Sequence, residues 1–386
     1  FRSDDKFDDP QIVTLCQSKQ AYLLNLSHGP TCAFKDLALS LLPHLLKKAY
    51  EKNNCHKKIA ILTATSGDTG KAALEAFKDV ENTIITILYP ELGVSKIQKK
   101  QMTSSLGNNV KVYALKGNFD ECQSLIKQFS KQHKNSFSKL ILTSANSINI
   151  GRLLPQVIYY YYAYLQLLEN HALGYGEKVN FCVPTGNFGD ILAGYLAKQS
   201  GLPIHKLICA SNRNNILTDF INTGVYDLHR EFYTTISPSM DILISSNLER
   251  LLYILSKDAK LNNRLMEQLE KDGYFALEED LLRKLQTSFE GYCCDESECK
   301  ETIRHLFENE KILIDPHTAV AYKAYEKHKA ESKDESQTII LSTASPYKFA
   351  SDVLDALNEK QEDPYIRHSS GIVLCCGLVL YRAKGC

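Results

Sequence analysis

Short apolar runs rich in β-branched residues alternate along the chain with longer amphipathic stretches. The short runs have about four to eight residues, the usual length of a strand, and the longer stretches have the period of a helix. This alternation is typical of an α/β fold in which helices cover both faces of a mostly parallel sheet. The predicted strands are residues 58–65, 83–89, 109–115, 140–144, 179–184, 206–211 and 338–342. The predicted helices are residues 34–50, 69–77, 95–106, 151–168, 188–199 and 348–357.

Three stretches depart from this alternation. Residues 225–310 are predicted to be mainly helical, and the almost wholly polar residues 327–336 are predicted to form a solvated helix end or loop. The consecutive tyrosines at positions 159–162 would point in different directions on a helix. We therefore expect them to pack in the interior rather than to form one face that stacks on a cofactor.

Length and charge narrow the class of protein. A chain of 386 residues is too long for one hydrophobic core, so roughly two domains are expected. The chain has 45 basic and 45 acidic residues, so its net charge of zero does not favour binding to nucleic acid or to an anionic membrane. No apolar run reaches the roughly 18 residues of a membrane span. We expect a small-molecule partner and an intracellular location, cytoplasmic or mitochondrial. The chain opens without methionine in a charged stretch, so a fragment is predicted.

The twelve cysteines are spread through the chain, often inside apolar runs, as at Cys182 and Cys209. They are predicted to be buried reduced thiols rather than a disulfide framework. Cys293, Cys294 and Cys299 lack a second ligand pair at zinc-like spacing and have acidic neighbours. We therefore predict no metal site.

Candidate chemistry lies in loops that follow predicted strands and precede predicted helices, where ligand sites form in open α/β sheets. The first loop contains Ser66, Gly67, Asp68 and Thr69. Small residues, free amides and the helix dipole favour a carboxylate or phosphate there. The same residues are also common helix caps, so a simple capped helix is the alternative.

Two further loops have a similar setting. Residues 184–190 combine two glycines with a Thr/Asn pair and could form a phosphate cradle of backbone amides. They match neither a Walker A loop nor a dinucleotide fingerprint. In residues 342–346 a hydroxyl could bind a ring nitrogen, although a lone Ser-Thr turn is more often only a cap.

Lys35 stands beside Phe34 and Leu37 at the start of a predicted helix. An apolar setting is unusual for a purely solvated charge and favours an amine that forms an imine. The alternative is a lysine that extends from the helix end into solvent.

Taken together and in order, five segments resemble threonine synthase, a family of fold-type II enzymes that use pyridoxal 5'-phosphate. They are residues 28–36, 65–70, 144–152, 184–190 and 342–346. The resemblance extends from residue 24 to about residue 357 and is greatest to the animal threonine synthase-like proteins. It implies two open, mostly parallel sheets flanked by helices. It also implies a larger cofactor-binding domain (residues 1–34 and 146–360), a smaller domain (residues 35–145) that carries the lysine, and an atypical tail (residues 361–386).

The resemblance implies a role for each matching position. Lys35 would form the Schiff base with pyridoxal 5'-phosphate and then move protons at Cα and Cβ of the substrate. Thr343 would bind the pyridine nitrogen. The loop that would hold the cofactor phosphate consists of Gly186, Asn187, Phe188 and Gly189.

The implied substrate is a small phosphorylated amino acid, O-phosphohomoserine, which loses phosphate to give threonine or 2-oxobutyrate. Its carboxylate would face Ser66, Gly67, Asp68 and Thr69, and its phosphate would lie near Asn149 and Arg152, with Lys96 as a weaker candidate. The protein would be a monomer or homodimer.

Ile150 and Ser345 depart from the family pattern, which has tryptophan and histidine at these positions. Both changes favour simple elimination over clean threonine formation. Two other functions stay open. A threonine deaminase or a cysteine-forming enzyme would usually have asparagine in place of Asp68. A non-catalytic relative would keep the fold and act in binding or signalling.

Overall fold

The computed structural model describes residues 6–65, 67–91, 94, 96–104, 107–117, 119–133, 137, 139–359, 365–367 and 373–375. The chain divides into two compact units. The first unit consists of Phe1–Ile12 and Ser27–Gln156, and the second of Val13–Leu26 and Val157–Cys386.

The strands are short and are numbered here in chain order. They are β1 (Thr14–Gln17), β2 (Tyr22–Asn25), β3 (Lys58–Ala64), β4 (Thr83–Pro90), β5 (Val110–Leu115), β6 (Leu140–Thr143), β7 (Val179–Pro184), β8 (Ile204–Ser211), β9 (Val225–Asp227), β10 (Tyr274–Ala276), β11 (Phe289–Cys293), β12 (Thr338–Ser342), β13 (Tyr365–Arg367) and β14 (Val373–Cys375).

The α-helices follow the same numbering. They are α1 (Lys35–Lys52), α2 (Asp68–Phe77), α3 (Lys96–Thr103), α4 (Phe119–His133), α5 (Ile150–Leu153), α6 (Val157–Glu169), α7 (Gly189–Gln199), α8 (Ile216–Thr223), α9 (Leu248–Ser256), α10 (Ala259–Asp272), α11 (Glu279–Ser288), α12 (Glu296–Glu310), α13 (Pro316–Ser332) and α14 (Ala350–Ala356). Three short 3-10 helices occur at Leu154–Gln156, Pro238–Met240 and Pro346–Phe349.

The first unit contains a four-stranded, wholly parallel sheet in the order β5-β4-β3-β6. Ile61 and Ile85 pair across its centre and are fully buried. Phe77 of α2 and Leu39 of α1 belong to the same core cluster. Parallel strands need helical connections, so each strand of this sheet ends at a loop that leads into a helix.

The second unit contains a six-stranded sheet in the order β1-β2-β12-β7-β8-β11, in which β1 and β2 alone are antiparallel. Every residue of β7 is buried. A strand buried on both faces is mostly apolar, as residues 179–184 are, and the one polar side chain, Asn180, donates a hydrogen bond to Asp334 at 2.8 Å. The predicted fold class, mostly parallel sheets with flanking helices, is confirmed.

The units divide the chain differently from the predicted domains at residues 1–12, 27–34 and 146–156, which belong to the first unit. Local contacts explain this difference. His28 Nδ1 lies 2.7 Å from Asp8 Oδ1, and a Cβ on Gly151 of α5 would lie 2.6 Å from Leu42 of α1. Of the predicted tail, the structure describes only β13 and β14, which pair antiparallel.

Residues 225–310 are mainly helical, as predicted, but they also contain three strands. The polar run at residues 327–336 includes the end of α13, at Ser332, and the loop after it. Of the four tyrosines predicted to pack in the interior, Tyr159 and Tyr160 are buried, whereas Tyr161 and Tyr162 are only partly buried. No helix in the described part of the chain is long and apolar enough to cross a membrane.

Candidate active site

Lys35 is the first residue of α1, and its side chain is only 12% exposed. Its Nζ lies 3.8 Å from Asp68 Oδ2 and 4.7 Å from the centroid of the Phe34 ring. The amine is therefore not a solvated surface charge. A carboxylate at this distance favours the charged form of the lysine, and the aromatic face adds a cation–π contact.

Asp36, the next residue, fixes the turn that leads into α1. Its carboxylate accepts hydrogen bonds from the backbone amide (2.8 Å) and the hydroxyl (2.6 Å) of Thr31 and is 3% exposed. A Cβ on Gly29 would lie 2.3 Å from Asp36 Cβ, so the turn needs glycine there. The sequence analysis missed Asp36, because an acidic residue in a first helical turn is common for electrostatic reasons alone.

The loop after β3 is a tight start to α2. Thr65 Oγ1 accepts hydrogen bonds of 2.9 Å from the amides of Gly67 and Gly70. Gly67 has a φ of 147°, a backbone conformation that favours glycine. The loop thus caps the helix and places Asp68 beside Lys35. Ser66 lies outside the described residues, and no contact that defines a role for Thr69 is observed.

Asn149 and Arg152 are tied to the backbone that follows β6. The Asn149 side chain accepts from the Gly151 amide (2.9 Å) and donates to the Ser144 carbonyl (2.7 Å). The Arg152 guanidinium donates to the Ala145 carbonyl at 2.8 Å and is buried. Asn149 is therefore the N-cap of α5, a local role that the sequence analysis did not assign. The side chain of Lys96 lies outside the described residues.

Residues 186–189 lie between β7 and the first turn of α7 and are here called the phosphate cradle, after the role that the sequence analysis predicts for them. Phe188 adopts the left-handed conformation (φ 62°) with its ring buried, and α7 begins at Gly189. Within the described chain, the four amides of the cradle donate no backbone hydrogen bond. Consecutive amides and the amino end of a helix are suited to a phosphate group.

Residues 239–247, which the sequence analysis did not single out, contact the backbone of the cradle. Ser245 Oγ donates to the Gly186 carbonyl at 2.6 Å. The Asn187 carbonyl accepts from the backbone amide (3.2 Å) and side-chain amide (3.1 Å) of Asn247. A Cβ on Gly186 would lie 2.9 Å from the Ser239 carbonyl oxygen, so the two backbones are in direct contact.

Asp190 anchors the first turn of α7. Its Oδ1 accepts hydrogen bonds from the hydroxyls of Tyr159 (2.5 Å) and Tyr160 (3.0 Å) of α6. Burial, together with the Asp190 carboxylate, raises the pKa of Tyr160 well above its usual value. The tyrosine pair therefore serves to fix α7, whose amino end carries the cradle.

Thr343 follows β12 directly and is buried. The preceding Ser342 has its hydroxyl 3.2 Å from that of Thr318 on α13. Ser345 is also buried, whereas Ile150 of α5 is 47% exposed. The described part of the chain contains no group of three or more histidine, cysteine or acidic residues that could hold a metal ion. Its cysteines are free thiols, and burial raises the pKa of Cys209 to about 12.

This combination of a parallel α/β fold, a buried lysine at a helix start and a phosphate cradle defines a class of enzyme. Residues 10–344 match the family described as "Pyridoxal-phosphate dependent enzyme". Residues 318–373 match a second family description, "Threonine synthase, C-terminal", which extends into the segment predicted to be an atypical tail.

The chain belongs to the threonine synthase family of pyridoxal-phosphate-dependent proteins. Threonine synthase from Saccharomyces cerevisiae is 39% identical over 380 residues, which cover 93% of this chain and 73% of that protein. Threonine synthase-like 1 from Homo sapiens is 42% identical over 357 residues, 89% of this chain and 47% of that protein. The chain thus spans about half the length of its threonine synthase-like 1 relatives.

Solved structures agree with this assignment. Threonine synthase from Brucella melitensis with bound pyridoxal phosphate has a TM-score of 0.83 at 39% identity, over 93% of this chain and 75% of that one. The yeast enzyme has a TM-score of 0.84 at 36% identity, over 94% and 75%. The predicted family, its fold type and its cofactor are confirmed.

Proposed function

We propose that this chain, with pyridoxal 5'-phosphate as its cofactor, eliminates phosphate from O-phosphohomoserine or a related phosphorylated amino acid. Addition of water to the unsaturated product gives threonine, and its hydrolysis gives 2-oxobutyrate and ammonia. The observation that carries the proposal is the buried Lys35 beside Asp68, in a member of the threonine synthase family. The monomeric or homodimeric state and the intracellular location stay predictions.

The donors present fit the cofactor. The amides of residues 186–189 and the positive end of the α7 dipole suit a phosphate dianion. Lys35 offers a primary amine for the aldehyde carbon, and Thr343 a hydroxyl for the ring nitrogen. Bound pyridoxal phosphate supplies an electron sink for a carbanion at the substrate Cα.

Other residues of the chain would act on the substrate. The Lys35 amine would take up and return protons at Cα and Cβ, and the Asp68 carboxylate at 3.8 Å would stabilise its protonated form. The Arg152 guanidinium would bind the substrate phosphate. Ile150, which is 47% exposed, gives little cover against bulk water, and this favours simple elimination with 2-oxobutyrate as product.

The test is an absorbance titration with pyridoxal phosphate, followed by a phosphate-release assay with O-phosphohomoserine. Wild type is compared with Lys35→Ala and with Lys47→Ala, which removes a half-exposed lysine of the same helix. We expect a visible band and phosphate release in wild type and Lys47→Ala, and neither in Lys35→Ala. A band without phosphate release would support a non-catalytic binding protein, and a band that survives in Lys35→Ala would reject the role of Lys35.

A further inference from the structure

A buried histidine of α13 contacts the backbone of Ser239, in the segment that packs against the phosphate cradle. His317 is 3% exposed, and its Nδ1 lies 2.7 Å from Asp315 Oδ1. Its Nε2 lies 3.2 Å from the backbone nitrogen of Ser239, which donates to it. Because a backbone amide can only donate, Nε2 is the unprotonated ring nitrogen and Nδ1 carries the proton. The ring is therefore held as one tautomer by contacts on both nitrogens.

Asp315 is itself held rigidly. It is fully buried as the N-cap of α13, where its carboxylate accepts hydrogen bonds from the amides of His317 (2.9 Å) and Thr318 (3.3 Å). The Thr318 hydroxyl also donates to this carboxylate. Since every partner belongs to the first turn of one helix, the carboxylate has a fixed position. It therefore fixes the direction in which the His317 ring points.

Ser239 connects His317 to the cradle, because its amide contacts His317 and its carbonyl oxygen packs on Gly186. It lies in the 3-10 helix Pro238–Met240, whose backbone packs directly on Gly186. A Cβ on Gly186 would lie 2.9 Å from Ser239 O and 3.2 Å from Met240 Cα. Because these two backbones are close-packed, neither can move without displacing the other. A shift of Ser239 would thus move the first amide of the cradle.

We propose that His317 is a positioning residue for the cofactor phosphate: it holds Ser239 against Gly186 and thereby sets the spacing of the cradle amides. The inference rests on the proposed function, in which that phosphate is the ligand of residues 186–189. His317 touches no reacting atom in this scheme. Its contribution is the acceptor at Nε2, oriented by Asp315.

Two substitutions test the roles of the two ring nitrogens separately. His317→Gln keeps an acceptor at about the reach of Nε2 but loses the donor to Asp315. His317→Asn keeps a donor near Nδ1 but leaves the Ser239 amide without its acceptor. The partly buried Ser239 amide would lose this hydrogen bond, and a tenfold loss of cofactor affinity corresponds to roughly 1.4 kcal/mol.

The measurement is the dissociation constant of pyridoxal phosphate by equilibrium dialysis, with the unfolding temperature of the cofactor-free protein recorded in parallel. We expect His317→Asn to weaken binding about tenfold or more and His317→Gln to stay within about threefold of wild type. The matched control is His328→Asn on the same helix, a buried histidine 2.8 Å from Glu290. It should lower the unfolding temperature and leave the dissociation constant unchanged.

Equal losses in both His317 variants, or wild-type affinity in His317→Asn, would overturn the inference. The same holds if His328→Asn weakens binding as much as His317→Asn, because the effect would then be general destabilisation. Failure of the wild-type protein to bind pyridoxal phosphate would instead reject the proposed function, and the inference with it. The two kinds of failure are therefore distinguished by the wild-type titration.

Discussion

The carboxylate of Asp68 lies 3.8 Å from the Lys35 ammonium, and neither side chain is more than 12% exposed. A charge pair at about 4 Å is worth about 1 kcal/mol in water and about 4 kcal/mol near a protein surface. The pair joins the starts of α1 and α2 in the first unit, so it links Lys35 to the loop after β3. Asp68 therefore influences the reactivity of Lys35 as well as the shape of the loop.

Asp68→Asn removes this charge, and we expect the amine to react with pyridoxal phosphate at lower pH than in wild type. Only the unprotonated amine attacks an aldehyde, and the carboxylate stabilises the protonated form. The rate of appearance of the visible band, measured against pH, should have its midpoint at a lower pH than in wild type. Glu75→Gln, in the same helix, removes a carboxylate paired with Lys71 and should leave the midpoint unchanged. An unchanged midpoint in Asp68→Asn would contradict the pairing.

Asp36→Ala should destabilise the turn before α1. It leaves the buried Thr31 amide and hydroxyl without their acceptor, at a cost of about 2–4 kcal/mol. We expect a lower unfolding free energy in urea and weaker binding of pyridoxal phosphate, since Lys35 directly precedes Asp36. Thr31→Ser keeps both hydrogen bonds and should behave as wild type. Equal unfolding free energies in Asp36→Ala and wild type would refute this account of the turn.

Gly186→Ala tests the close approach between the cradle and residues 239–240. Its Cβ would lie 2.9 Å from a backbone oxygen, so one of the two backbones must shift. We expect the dissociation constant of pyridoxal phosphate to rise about tenfold or more, because the cradle amides move with the backbone. Gly291→Ala is the matched control, since its Cβ would lie 2.9 Å from the Thr218 backbone in another part of the second unit. It should reduce stability alone, and equal losses of affinity in both variants would argue against the cradle.

The loop before β12 contains a carboxyl group, Asp334, that should make the free energy of unfolding depend on pH. Burial of the Asp334 carboxyl would raise its pKa, but hydrogen bonds from Asn180, Ser336 and His205 outweigh that effect and hold the pKa well below its usual value. A carboxyl with a lowered pKa stabilises the fold above the unfolded pKa of about 4, and this stabilisation is lost as the pH falls towards the folded value. Asp334→Asn should therefore lower the unfolding free energy by about 1–2 kcal/mol at pH 7.

Urea unfolding of wild type and Asp334→Asn from pH 7 down to the lowest pH at which both remain folded checks this. The difference between the two proteins should shrink below about pH 4, where the unfolded carboxyl becomes protonated. Asp280→Asn, which removes an 85% exposed carboxyl paired with Arg283, should change the unfolding free energy by at most about 0.5 kcal/mol. A difference that is constant with pH would mean that charge plays no part at Asp334.

The sequence predicted the elements whose pattern is local. Strands β7 and β12 were predicted with the bounds that the structure has, because a short, mostly apolar run that ends at a turn favours a buried parallel strand. In contrast, β11 was missed within a region predicted to be mainly helical. Its burial alternates, it contains Gly291, and it is a strand because it pairs with β8, about 80 residues earlier.

The sequence likewise indicated some residues of the candidate site and missed others. The glycines and hydroxyls of the two loops are recognisable because backbone geometry and phosphate binding need those residue types at adjacent positions. The groups that hold the loops in place, Ser245, Asn247 and His317, are about 60 to 130 residues away from the cradle in sequence. Nothing in their local sequence indicates which backbone they contact, since a serine or asparagine in a loop is most often a cap.

The hairpin of β1 and β2 has a consequence for how the protein is made. Residues 13–26 belong to the second unit, and β2 pairs with β12, which is synthesised more than 300 residues later. A ribosome-bound chain therefore cannot complete the six-stranded sheet until β12 has emerged, and pairing over such a separation is slow. Until then the partner edge of β2 stays unpaired and prone to aggregation. Recombinant production should therefore gain from slow translation or from a chaperone that covers this hairpin.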